Sequence, residues 1–578
     1  MTAPGRPRTL ALAGLVVLFV LPLFLRLAAI DHGQPRNYVP DTHAVRAALG
    51  MARDRDPAPP VGRYSTYPNL MPYMLVGVFG GRFVCGTLDG SWSGAEEFGE
   101  VVMTEPAIVH LLARLLVALL GALTPWVVLR AARAMGLGRG AWVAAWLVGV
   151  GVLHVHFSVQ ERPWIPMVFF MALALWPAAL YVGEPRLRRL VAVGAAAGLA
   201  FATHQAGLLA LGIGGLAWLL APVGWDRPAL VRRLGHGLVC VVLFALVALF
   251  LGHPYLLVHG STPSAGVVGG AASDFSVGGQ GILLAFRLES VGRQLTASIG
   301  HDPALWILAV AGLAASLRAP RARPCVLFGL AWAALFMTLE NDHVRYLLPL
   351  SVFLAIPAGF AGERLAAGGP WARASLVVLL AVPLLTSVRL VSVLGSEDTR
   401  AEAERTLTES LPAGALLAID RYGPALDLNL ASLDRLASWR ELTTREAHRR
   451  TRLAAAADTG DGVNAVRLED LLSFDEREGI VALRECAVDL AGEGSGPAEL
   501  LAALGITHFL LVDRAPSDPS RHALSSLVAA RVPEWVIDPS RGEPPASEAR
   551  LPSDLRFPLT DLWRVRRPGP WLGLYDLR

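Results

Sequence analysis

Residues 37–73 read NYVPDTHAVRAALGMARDRDPAPPVGRYSTYPNLMPY. The stretch is polar, rich in Pro and Arg, and carries Asp41, Asp54 and Asp56. It follows the first long apolar run, residues 9–30, and further apolar runs come after it. Ionisable groups kept against apolar spans are costly and mark functional positions. The stretch therefore predicts an outer loop held against a helix bundle, with Asp41 at a polar cavity. Asp41 lies between Pro40 and a run of helix formers, so it also stands where a helix N-cap belongs. The two roles are compatible.

Composition agrees with a bundle. Of 578 residues, 53% are hydrophobic and 17% charged, and the mean hydropathy is +0.47. Soluble domains carry about 25% charged residues. The apolar excess falls in runs near the roughly 20 residues that cross a bilayer. These are 9–30, 107–131, 140–158, 164–182, 190–204, 206–222, 236–258, 303–318, 324–340, 346–362 and 374–394. The expectation is a polytopic α-helical membrane protein with about eleven transmembrane helices. All 51 basic residues are Arg, so lysine nucleophiles and Schiff bases are excluded. A net charge of +3 gives no reason to expect a nucleic-acid partner. Cys85, Cys240, Cys325 and Cys486 lack metal or redox spacing.

Short cytoplasmic loops hold the positive excess. Arg6 and Arg8, then the Arg clusters at 130–139, 186–189, 227–233, 318–323 and 364–373, share one side if the N-terminus is cytoplasmic. Residues 70–83 would upset that count if they crossed, so they are expected to be interfacial or re-entrant. The outer loops are then 31–105 and 259–302. Within the first, residues 45–55 predict a surface helix. The second begins Gly-rich (GVVGGAASDFSVGGQG), as a flexible lid would, and continues with the amphipathic ILLAFRLESVGRQLTASI. Residues 1–394 form the expected transmembrane domain. Residues 395–578 are polar, with a helical signal at DTRAEAERTLTESL and strand signals at ALLAID, THFLLVD and WLGLYDLR. They predict a C-terminal extracytoplasmic α/β domain.

Most ionisable groups near span ends fall on the outer side. They include Asp41, His43, His154, His156, Glu161, Arg162, His204, His253, Glu340, Asp342, His343 and Arg345. An isolated His at such a place is more often a packing residue than a ligand, but their gathering on one side points to a cavity.

The motifs PDTHAVRAALGMARDRDPAPP and YSTYPNLMPYML resemble the first outer loop of bacterial family 39-type glycosyltransferases of the GT-C fold. These are the protein O-mannosyltransferase-like and aminoarabinose-transferase-like enzymes. LHVHFSVQERPWIPMVFF, AAAGLAFATHQAGLLAL, LGHPYLLV and HVRYLLPLSVFLAI are similar to later segments of that family, in order. Three departures stand out: Thr42 where the family has Glu, His204 in place of a basic residue, and Pro163 or Trp164 in place of an Asp.

The resemblance implies a multi-pass protein of the cytoplasmic (inner) membrane. It would take a polyprenyl-phosphate-linked sugar donor and a protein, lipid or glycan acceptor at the extracytoplasmic face. It implies Asp41 as general base, Arg345 and then Arg162 as phosphate-holding cations, and Glu161 as an orienting carboxylate. His43, Tyr67, His156, His253, Tyr255 and Tyr346 complete the expected substrate-binding set. No cofactor is required; a divalent metal on Asp41, His43 and His156 is chemically allowed, but no spacing demands it. A transporter or flippase predicts inverted repeats with broken helices at the midplane, and none is legible. A membrane scaffold predicts that Asp41 is dispensable.

Overall fold

The computed structural model describes residues 14, 16–38, 42–60, 63–64, 67–224, 226–259, 275–277, 280–282, 287–338, 344–456, 462–475, 480–492, 495–513, 524–540 and 562–578. Two units emerge. The first comprises residues 1–30, 39–93 and 108–391; the second comprises 31–38, 94–107 and 392–578. The division falls at 391, close to the shift in composition at 394. In addition, two short pieces of the first outer loop join the second unit.

All eleven expected apolar segments contain helix. Among the described residues, six helices are long and apolar enough to cross a membrane: Leu70–Leu88, Ala107–Ala134, Trp164–Gly183, Arg227–Gly252, Val344–Ala367 and Pro370–Ser410. Two bent pairs raise the number to eight. Arg139–Val150 meets Val152–Ser158 at 49°, and Leu288–His301 meets Pro303–Arg318 at 108°. The count is below eleven because Val16–Leu27, Gln205–Leu220 and Arg323–Thr338 are shorter. Leu187–Thr203 has 17 residues.

The segment expected to be interfacial or re-entrant is an unbroken 19-residue helix, Leu70–Leu88, long and apolar enough to cross. Pro72 sits in its first turn, where a missing N–H costs nothing. The surface helix runs over His43–Asp54. It buries Ala44, Val45, Ala47, Ala48 and Met51 and exposes Arg46 and Arg53, and it packs on Leu70–Leu88.

Helices approach closely where Cβ atoms are missing. A Cβ on Gly312 would lie 1.8 Å from the Pro357 carbonyl oxygen, and one on Gly140 would lie 2.1 Å from that of Gly359. Leu350–Ala367 can thus pack on both Pro303–Arg318 and Arg139–Val150. In the 259–302 loop, strands β1 (Phe275–Val277) and β2 (Gln280–Ile282) pair antiparallel. Leu288–His301 forms the amphipathic helix. Residues 260–274 lie outside the described residues.

The second unit holds β3 (Leu417–Ile419), β4 (Ala465–Arg467), β5 (Leu472–Asp475), β6 (Ile480–Leu483), β7 (His508–Asp513), β8 (Trp535–Ile537) and β9 (Trp571–Asp576). Five make one sheet in the order β4-β3-β7-β9-β8, parallel across β4, β3 and β7 and antiparallel beyond. Alternation along the strands feeds two cores. Leu417, Ile419, Leu510, Val512, Leu572 and Leu574 join one cluster; Ala418, Phe509, Leu511 and Tyr575 join the other. Arg36 is bound into this unit by Asp427, at 2.9 and 2.8 Å, and by Glu404.

Candidate active site

Chain breaks at helix ends bring together side chains far apart in sequence. The loop before Leu70–Leu88 is tied down where the Asn69 N–H donates to the Gly252 carbonyl at 2.9 Å, which holds Tyr67 near the end of Arg227–Gly252. His204 ends Leu187–Thr203 with extended backbone, and its Nδ1 accepts from the Ala206 N–H at 3.1 Å. Trp164 opens Trp164–Gly183. Arg345 and Tyr346 lie in the short turn Val344–Leu347, held where Trp332 Nε1 donates to the Tyr346 carbonyl at 2.8 Å.

Their rings form a continuous series. His43 and Tyr67 are 6.3 Å apart between centroids, Tyr67 and His204 5.1 Å, Trp164 and His204 4.1 Å, and Trp164 and Tyr346 5.3 Å. The Arg345 guanidinium lies 5.7 Å from the Tyr346 ring centre. Because Nδ1 accepts the Ala206 N–H, it carries no proton, and the His204 imidazole is neutral. The arrangement offers aromatic faces beside a half-buried cation. It can hold an anionic group next to a ring-shaped one.

Of the residues expected from the sequence, His43, Tyr67, Arg345 and Tyr346 therefore meet. His253 lies beside Phe201, ring centroids 5.4 Å apart. Its ring nitrogens have no hydrogen-bond partner among the described residues. Tyr255 packs on His259 at 4.4 Å instead. His156 is buried, with Nε2 2.8 Å from the Gln160 amide nitrogen. Glu161 and Arg162 are buried. Glu161 Oε2 accepts from Arg114 Nε at 2.7 Å, and Oε1 is 3.0 Å from His110 Nδ1. Burial pushes the Glu161 carboxyl up, but the Arg114 charge and the His110 hydrogen bond prevail and hold it well below the carboxylate range. Both Glu161 oxygens are thus engaged by side chains of Ala107–Ala134. Asp41, Glu340, Asp342 and His343 lie outside the described residues.

Trp164 enters the ring series without having been expected there as a site residue, and so does His204. Asp302 is a second surprise. It caps Pro303–Arg318, its Oδ1 accepting from the Leu305 N–H at 3.0 Å. It lines a small cavity with Gly151, His154, Trp306 and Ser351. Arg26 reaches the same His154, Nη2 to Nδ1, at 2.8 Å. The Asp-Pro pair at a helix start was the legible signal. Among the described residues of this unit, no three His, Cys, Asp or Glu side chains converge as metal ligands.

Residues 109–253, about a quarter of the chain, match the family described as dolichyl-phosphate-mannose-protein mannosyltransferase. The resemblance read from the motifs is borne out over that segment, which contains Trp164, His204 and His253. No curated protein sequence matches the chain. Among solved structures, the chain is similar to ArnT from Cupriavidus metallidurans bound to undecaprenyl phosphate, with 16% identity over 100% of this chain and 99% of that one and a TM-score of 0.44. It is also similar to the apo oligosaccharyltransferase of Archaeoglobus fulgidus, at 12% identity over 88% and 70% of the two chains, TM-score 0.44. The S. cerevisiae Pmt1–Pmt2 complex bound to its sugar donor is similar at 19% identity over 43% and 34%, TM-score 0.31.

Proposed function

We propose that this chain is a membrane glycosyltransferase that moves a sugar from a polyprenyl-phosphate donor to an acceptor hydroxyl at the extracytoplasmic face of the cytoplasmic membrane. The family match at residues 109–253 supports the reaction class. The observation that carries the reading is the half-buried Arg345 beside Tyr346, Trp164 and His204, among the ends of apolar helices. A lipid phosphate needs a cation in a site poor in water, where charge stabilisation is strong. A sugar presents apolar faces that pack on the half-buried Tyr67.

In the reaction the acceptor oxygen attacks the anomeric carbon. The bond from that carbon to the phosphate oxygen breaks, and the electron pair leaves with the lipid phosphate. The acceptor's proton passes to a carboxylate, and attack opposite the leaving group inverts the carbon. Asp41, two residues before the helix His43–Asp54, is the proposed base. Arg345 holds the phosphate as its charge grows. The N-terminus is cytoplasmic and the α/β domain extracytoplasmic in this reading.

The test is sugar transfer by the purified protein from a panel of polyprenyl-phosphate sugars, followed by mass spectrometry. Arg345→Ala should impair donor use far more than Arg364→Ala, which lies at the other end of the same span. Equal losses would remove Arg345 from the phosphate site. Asp41→Asn should abolish transfer while the protein stays folded; full activity would remove Asp41 from the mechanism.

A further inference from the structure

We propose that the α/β unit carries a divalent transition-metal site, of the zinc type, built from His508, Glu534 and Asp576. These are the three residues among those described whose ligand atoms converge, all within 4.8 Å of one another. His508 Nε2 lies 3.9 Å from Glu534 Oε1.

The sheet positions all three. His508 and Asp576 are direct partners across the antiparallel pair β7 and β9, so their side chains leave the same face. Glu534 enters β8 on the other side of β9, with its N–H donating to the Leu574 carbonyl at 2.8 Å. No long loop has to be ordered to form the site.

His508 supplies a second and independent observation. It is fully buried, and its Nε2 has no hydrogen-bond partner among the described residues. Its other nitrogen, Nδ1, lies 2.9 Å from Thr507 Oγ1, an outer hydrogen-bond partner of the kind that orients a metal-bound histidine. A cation on Nε2 would select the tautomer whose proton is on Nδ1. One imidazole, two carboxylates and an open fourth position suit Zn²⁺ better than Ca²⁺ or Mg²⁺, which prefer all-oxygen sets.

Asp576 is meanwhile held by Arg578, whose backbone N–H and Nε reach Oδ1 at 2.8 and 3.1 Å and whose Nη2 reaches Oδ2 at 2.9 Å. Arg578 is exposed, with 59% of its side chain accessible. Its guanidinium can swing into solvent when a cation takes the carboxylate.

The test is a Zn²⁺ titration of the full-length, tag-free protein in detergent against a chromogenic chelator. One tight equivalent is expected. Losing an outer partner alone costs about 10–100-fold in metal affinity, so Glu534→Gln and Asp576→Asn should each weaken that equivalent at least about tenfold. Both carboxylates are solvent-accessible, so neither change threatens the fold. His508→Ala should abolish the equivalent, and Arg578→Ala should tighten it by removing the competitor. Absence of a tight equivalent, or equal binding by the wild type and Glu534→Gln, would overturn the proposal.

Discussion

The ring of Tyr67 lies 5.1 Å from that of His204, centroid to centroid. One belongs to the loop before Leu70–Leu88 and the other to the break after Leu187–Thr203. Both chain breaks are polar interruptions of apolar runs, and their meeting concentrates ionisable and aromatic groups at one place. Trp164 extends the contact to Tyr346, and Arg345 follows. Tyr67→Ala should raise the donor KM severalfold while leaving the fold intact. Tyr255→Ala, whose ring packs on His259 outside the series, should change it little. Equal effects from both would remove Tyr67 from the binding surface.

The helices were legible because long apolar runs admit few alternatives. The strands at 417–419, 508–513 and 571–576 were legible because short apolar runs bounded by polar residues announce them. Residues 70–83 extend into one unbroken helix, Leu70–Leu88, whose length was not legible past Pro72 and the glycines. Its length and composition permit a span, whereas the bookkeeping of distant Arg clusters argues for the interface. The ring series was hidden because His204 and Trp164 are 40 positions apart and meet only when two helix ends pack. The partners of Glu161 were hidden likewise. Arg114 and His110 sit one turn apart on Ala107–Ala134, and nothing local couples them to residue 161. His508 and Asp576 lie on paired strands and Glu534 just before a third, and no local pattern reveals that pairing.

Close backbone approach makes Gly312 intolerant of a side chain. A Cβ there would sit 1.8 Å from the Pro357 carbonyl oxygen and 2.9 Å from the Ala361 nitrogen. Both are backbone atoms of a helix that also packs on Arg139–Val150, so relief by a side-chain rotation is unavailable. Forcing such packing costs about 1–3 kcal/mol, occasionally more. Gly312→Val should lower the thermal midpoint in detergent well beyond Gly292→Val, where a Cβ meets nothing within 4 Å. Similar losses at the two positions would mean that the close approach does not govern stability.

The Glu161–Arg114 pair makes the sharpest prediction about the bundle. Both side chains have no solvent-accessible area, and the Oε2 to Nε distance is 2.7 Å. Removing one partner from such a pair leaves a buried charge uncompensated and costs about 3–5 kcal/mol, whereas replacing both with apolar groups is often close to neutral. Arg114 also donates to the Ile30 carbonyl at 2.8 Å, so its loss frees a carbonyl from the segment after the first helix. Glu161→Gln and Arg114→Met should each destabilise the protein strongly, and the double variant should be less destabilised than the sum. With both Glu161 oxygens engaged by Arg114 and His110, Glu161→Gln protein that still folds at low temperature should keep its donor KM. A raised KM in that folded protein would place Glu161 in the substrate-binding set.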